Sequence, residues 1–309
     1  DLPLSSMLWV PKKDDRMDTS GGNSIMEFEP GKPVSRRSAL GGMGGAMALP
    51  LVGSSSSVQS APTLEGKVAI VTGSGRNLGR AGVLELARRG ADVVVNARSN
   101  REEIESVARE AEALGARALA ILADVGDQAQ VNNMVDQVLA EFGRVDVLIN
   151  NVGFRPLYPF TEMTTTQWRA VMAANLDGPF FGAKAVVPSM IANGGGSIIN
   201  LSGVASFAGA AGRSAVCASK VGALGLTRSL AVELGPHNIR VNYVVPGGWD
   251  EAATSLEDME PESRNLERIP LGRLGVPQEL ANLYAFLASD ESSYITGQTF
   301  HINGGSLRG

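Results

Sequence analysis

From residue 67 onward, short apolar runs alternate with longer stretches in which apolar residues recur every three or four positions. Continuous apolar runs of four to eight residues read as strands buried on both faces, and the 3.6-residue period reads as helices with one apolar stripe. The pattern predicts strand 67–72 and helix 78–90, strand 92–97 and helix 101–114, then strand 118–122 and helix 128–142. It continues with strand 145–150, a helical stretch over about 164–192, strand 197–201, helix 213–234, strand 240–245, helix 278–288 and strand 298–302. Strand and helix in regular alternation imply right-handed crossovers, hence a parallel sheet covered by helices on both sides. The predicted fold class is therefore a doubly wound α/β sheet in three layers, α/β/α, forming a single domain over 62–309.

Residues 1–61 lack this alternation. Within them Ser35-Arg36-Arg37-Ser38-Ala39-Leu40 leads into a weakly apolar, glycine-broken run up to Gly53, then into Ser54-Ser55-Ser56-Ser57-Val58-Gln59-Ser60-Ala61. A charged region, an apolar region and a small-residue region in that order match an export signal, and the paired arginines resemble the twin-arginine signal. The expectation is a leader over 1–61, starting naturally at Met26, and export to the periplasm; the alternative is a disordered tail on a cytoplasmic protein. The apolar run is too short and too rich in glycine to span a bilayer permanently.

Composition narrows the classes. A net charge of −5 with no basic stripe argues against a nucleic-acid partner. Cys217 is the one cysteine and makes no internal disulfide, and with only His237 and His301, far apart, no metal site is expected.

In sheets of this kind ligands bind beyond the carboxyl ends of the strands. The first such loop reads Thr72-Gly73-Ser74-Gly75-Arg76-Asn77-Leu78-Gly79, between a strand and a helix. Glycine there lets backbone approach a pyrophosphate whose charge the helix N-terminus attracts, which points to a Rossmann-type dinucleotide site; glycine needed only for the turn is the alternative. The motifs resemble the short-chain dehydrogenase/reductase family over residues 64–305, with Asn77 where a glycine usually stands. Asparagine tolerates left-handed backbone better than other side chains, so this departure is mild. Asp124-Val125 resembles the pair that flanks the adenine, Asn150-Asn151-Val152-Gly153 the motif after the fourth strand, and Pro246-Gly247 the loop over the nicotinamide.

The second strand ends Asn96-Ala97-Arg98-Ser99, without the carboxylate that would accept from the free 2′-hydroxyl of NAD. Arg76 and Arg98 instead offer guanidinium forks suited to a 2′-phosphate, so NADP is expected rather than NAD; solvated surface arginines are the alternative.

The resemblance implies a catalytic Tyr, a Lys four residues later, a Ser about thirteen residues before the Tyr, and an Asn earlier in the chain. Lys220 matches the lysine and Asn175 the asparagine, but the tyrosine position is Val216 and the serine position is Gly203. Neither valine nor glycine can donate a proton to a reacting oxygen. Candidate replacements are Ser202, which strand alternation turns to the other face unless the strand has ended, and Tyr158 in the loop after the fourth strand. Arg155 in that loop is a candidate for binding an anionic substrate or polarising an oxygen. Each has a plainer reading: Ser202 bonded to backbone, Tyr158 packed on Pro156 and Pro159, Arg155 solvated. Tyr243 reads as core.

Two functions follow. One is an NADP(H)-dependent oxidoreductase acting on a small carbonyl or alcohol, its proton handled by Lys220, Tyr158 or water. The other is a non-catalytic NADP-binding protein. The segment 248–265 is expected to act as a lid, with Trp249, Leu256 and Met259 lining the substrate pocket. Small residues Ala215, Ala218, Gly222, Ala223 and Gly225 suit close packing of helices, and the resemblance implies a homodimer or homotetramer.

Overall fold

The computed structural model describes residues 63–250 and 266–308. The expected leader therefore lies outside the described residues, as do Leu256 and Met259 of the expected lid. Seven parallel strands, β1 (Val68–Val71), β2 (Asp92–Ala97), β3 (Ala118–Leu122), β4 (Val147–Asn150), β5 (Gly196–Leu201), β6 (Ile239–Pro246) and β7 (Thr299–Ile302), form one sheet in the order β3-β2-β1-β4-β5-β6-β7. The order reverses between β1 and β4, and that switch point opens the crevice where dinucleotides bind in such sheets.

Strand residues alternate between two cores. Val71, Val93, Val95, Ile149 and Ile199 point to one face, covered by α1 (Asn77–Arg88), α2 (Arg101–Ala113) and α8 (Pro277–Ala288). Ile70, Val94, Leu148, Ile198 and Val241 point to the other, covered by α3 (Gln128–Phe142), α5 (Gly178–Ala192) and α7 (Ser214–Leu234). Buried on both sides, the strands need no polar alternation. Polar groups at the sheet margins are paired: Asp146 accepts from Val68 N at 2.9 Å and from Arg144 at 2.8 and 2.6 Å. Buried Glu85 on α1 accepts from Arg88, Arg89 and Gln278 of α8. Burial raises its pKa, but these bonds outweigh burial and hold the carboxyl below its usual range.

The helical stretch expected over 164–192 is in fact α4 (Thr165–Met172), a π-helical turn at Ala173–Asp177, and α5. Apolar periodicity does not register an extra residue in one turn, so the widening is invisible in the pattern. A short helix, α6 (Ala205–Ala208), follows β5 where no element was expected. With its 3₁₀ extension α7 is long and apolar enough to cross a membrane by length and composition alone. Its residues Ala215, Ser219, Ala223, Thr227 and Ala231 are nevertheless buried, and Thr227 accepts from Asn200 of β5 at 2.9 Å, which makes it a core helix.

Candidate active site

A cleft of about 1190 Å³ runs across the carboxyl ends of the strands at the β1/β4 switch. The loop after β1 forms one wall. Gly73 has φ +61°, and a Cβ there would stand 2.9 Å from Val152 Cγ2. A Cβ on Gly79 would lie 2.5 Å from the Gly73 oxygen, so the first turn of α1 can pack onto the loop only with glycine. Asn77 adopts φ 51°, the left-handed conformation for which asparagine is suited. No side chain caps the α1 N-terminus. Its N–H groups and positive dipole end stand at the cleft, an arrangement that receives a phosphate. The residues thus fit a dinucleotide: a cradle that Cβ atoms would fill, above an uncapped helix start.

All the expected cofactor residues line this cleft. Gly73, Gly75, Arg76, Asn77, Leu78 and Gly79 come from the first loop and Arg98 from the end of β2. Asp124 and Val125 follow β3, Asn151 and Gly153 follow β4, and Pro246 and Gly247 close β6. Asn151 Nδ2 donates to the oxygens of Thr72 and Gly73 at 3.0 Å each, tying the β4 loop to the glycine loop. Two further residues matter here. Asn96 accepts from Gly73 N at 3.2 Å and donates to Ile121 O at 3.2 Å and Ala123 O at 3.1 Å, so one buried amide joins three strand ends. Glu103 on α2 lines the same end of the cleft, its carboxylate 3.2 Å from where a Gly75 Cβ would stand. The end of β2 has no acid, yet an acid reaches the pocket from α2. An N-capped helix start at Asn100 was the available signal for the position of Glu103.

At the other end stands Lys220, 3% exposed. Its Nζ donates to Leu201 O at 2.7 Å and Val152 O at 3.2 Å. Burial, with the nearby Arg155 guanidinium second, pushes its pKa down to about 7. A neutral amine has two N–H groups, enough for both carbonyls, so the third proton of the ammonium is the one free to leave. Val216 and Gly203 both line the cleft, and a Cβ on Gly203 meets nothing within 4 Å. The two positions at which the resemblance leads one to expect a serine and a tyrosine therefore border the same cleft as the lysine.

Ser202 also lines the cleft, because β5 ends at Leu201 and alternation stops there. Its Oγ pairs with Ser206 Oγ at 3.2 Å and donates to the phenol oxygen of Tyr243, which in turn donates to the Lys220 carbonyl, so the Ser206 hydroxyl supplies the proton of the serine pair. Tyr243 is fully buried, and burial holds its phenol well above the usual range. Tyr158 is placed elsewhere: it packs with Val171, Ala215, Val216, Met163 and Trp168, and does not line the cleft. Asn175 sits fully buried in the π turn, where its side chain bonds the Phe154 backbone at 2.8 and 2.9 Å and Ser219 Oγ at 3.3 Å. It fixes the β4 loop rather than facing the cleft. Trp249 lines the cleft, 8% exposed, its ring against Gly275.

The sequence profile of the enoyl-(acyl carrier protein) reductase family matches residues 73–306. The chain is 41% identical over 242 residues to 3-oxoacyl-[acyl-carrier-protein] reductase FabG of Thermotoga maritima, covering 78% of this chain and 98% of the relative. It is 38% identical over 241 residues to FabG of Escherichia coli K12, covering 78% and 97%. A solved structure described as a short-chain alcohol dehydrogenase, from Sinorhizobium meliloti 1021, is similar at TM-score 0.74 and 37% identity, covering 79% of this chain and 98% of that one. A short-chain type dehydrogenase/reductase from Mycobacterium marinum follows at TM-score 0.71 and 35% identity, covering 80% and 97%. With its doubly wound sheet, and a profile match and relatives that cover most of its length, the chain belongs to the short-chain dehydrogenase/reductase family of NAD(P)-dependent oxidoreductases.

Proposed function

We propose that the protein is an NADP(H)-dependent reductase of a small carbonyl compound in which Lys220 itself donates the proton. The observation that carries this is the buried Lys220 amine, satisfied by two carbonyls in its neutral form and lining the same cleft as Val216 and Gly203. A dinucleotide held by the glycine loop, Asp124-Val125 and Pro246-Gly247 would supply the hydride for the carbonyl carbon. Lys220 then transfers its third proton to the carbonyl oxygen, the neutral amine stays bonded to Leu201 O and Val152 O, and water restores the proton. Ser202 Oγ lines the same cleft, and turning its one proton from its hydroxyl partner to the substrate would let it share the developing oxyanion. Asn175 acts by holding the Phe154 backbone, and so the rim of the cleft, in place.

NADP over NAD rests on Arg76 and Arg98, which line the adenosine end and make no salt bridge with a described residue. Glu103 at the same end opposes that preference without cancelling two guanidiniums. The test is NADPH oxidation across a panel of aldehydes, ketones and oxo acids, with Lys220→Met alongside. Turnover that Lys220→Met abolishes is expected. Tight NADPH binding without turnover on any carbonyl favours instead the non-catalytic nucleotide-binding reading.

A further inference from the structure

The substrate end of the cleft carries more positive charge than the proposed chemistry uses. Arg155 and Arg213 both line it. Arg155 folds back along the cleft wall, so that its Nε would lie 3.8 Å from a Gly153 Cβ, and its charge is felt at buried Lys220. Arg213, at the start of α7, donates from Nη1 to the backbone carbonyl of exposed Arg155 at 3.0 Å, which ties its guanidinium to the β4 loop that carries Arg155. Neither guanidinium forms a salt bridge with a described residue. The two acids that line the cleft, Glu103 and Asp124, belong to the adenosine end, where Glu103 abuts Gly75 and Asp124 accepts from Gly126 N at 2.9 Å. Like charges in a cleft with no counter-charge among the described residues focus a field that draws an anion, and a guanidinium fork matches a carboxylate bidentately.

We infer that Arg155 and Arg213 form an anion subsite, so that the substrate is an oxo acid whose carboxylate they bind while its carbonyl meets Lys220. This rests on the reductase reading, and it specifies the substrate class. An oxo acid brings its own negative charge into a corner that otherwise holds three cations, which lowers their mutual repulsion. It also explains how a site without the family tyrosine orients its substrate: the carboxylate fixes one end, and only one carbonyl face remains toward the hydride.

The experiment compares acetoacetate with methyl acetoacetate, which carry the same ketone and differ in charge, using the full chain with NADPH. The acid is expected to exceed the ester in kcat/KM by about ten- to a hundred-fold, the range of a charged hydrogen-bonded pair. Arg155→Ala should cut that ratio at least ten-fold, Arg155→Lys by less, and Arg155→Glu should bring the acid below the ester. In parallel, malonate binding to the NADP⁺ complex is measured by calorimetry. Malonate binding that Arg155→Ala abolishes, even with no turnover on either ketone, supports the subsite while sinking the reductase reading. An acid-to-ester ratio near one, or malonate binding indifferent to Arg155→Ala and Arg213→Ala, overturns the subsite and leaves the reductase reading to its own assay. NADPH affinity of each variant serves as the check that it has folded.

Discussion

Val216→Tyr combined with Gly203→Ser puts a phenol and a hydroxyl at the two positions where the resemblance leads one to expect them, and the surroundings of both positions set its effect. Serine at 203 enters open space, since a Cβ there meets no atom within 4 Å. Tyrosine at 216 replaces a side chain 5% exposed that packs on Val171 and Ala215, but which also borders the cleft into which a ring can extend. Overpacking of a core position costs about 1–3 kcal/mol, so the variant should fold with a somewhat lower Tm. A positioned general acid contributes about 10²–10⁴ in rate. Lys220, half protonated near pH 7, already supplies part of that, so the expected gain in kcat/KM for carbonyl reduction is about 10²-fold, or about 2.7 kcal/mol of barrier. The assay is loss of NADPH absorbance, with the two single variants measured separately; Val216→Tyr should carry most of the gain. A double variant that folds, binds NADPH as the parent does and turns over no faster would show that proton donation does not limit the rate, and would refute the reasoning.

The remaining predictions concern charge, stability and location. Because the ammonium form of Lys220 donates the proton, kcat/KM for reduction should fall as pH rises through about 7, and the oxidation direction should show the opposite limb. The folded-state pKa lies below the unfolded one, so between about pH 7 and 10 the unfolded chain binds more protons; denaturant midpoints should therefore rise with pH, by up to about 1.4 kcal/mol per unit from this group. Arg76→Ala and Arg98→Ala should each weaken NADPH relative to NADH by about ten-fold in titration calorimetry, and Glu103→Gln should do the reverse. Asn96→Ala leaves Gly73 N and the carbonyls of Ile121 and Ala123 without a side-chain partner and should cost about 2 kcal/mol or more, read as a lower Tm. If residues 1–61 act as a twin-arginine leader, cell fractionation should find the shortened protein in the periplasm, and Arg36→Lys with Arg37→Lys should hold it in the cytosol.

The sheet, its helices and the cofactor wall were legible because each rests on a local signal: apolar runs, helical period, glycine where backbone must come close. What the pattern did not carry were effects of three-dimensional convergence. Asn96 reads in the chain only as a missing acid, although its amide joins three strand ends. Glu103 lies one helix turn beyond Asn100 and reaches the pocket only because α2 starts there. Strand alternation turned Ser202 away from the cleft, but its conclusion depended on a strand end that only the structure locates. Tyr158 is close to the site in sequence, yet its ring is taken by the cluster around Val216 and Trp168.

The bonds of Lys220 to two backbone carbonyls have a consequence outside proton transfer. An ordinary lysine near pH 7 is almost wholly ammonium and therefore inert as a nucleophile, whereas burial lowers the pKa of this one to about 7 and makes its neutral form accessible. An aldehyde entering the cleft while the dinucleotide is absent meets a free amine lone pair in a largely desolvated corner, the condition for imine formation. Imine condensation would then consume the nitrogen that donates the proton, so an aldehyde added before the dinucleotide should inactivate the protein where the reverse order does not.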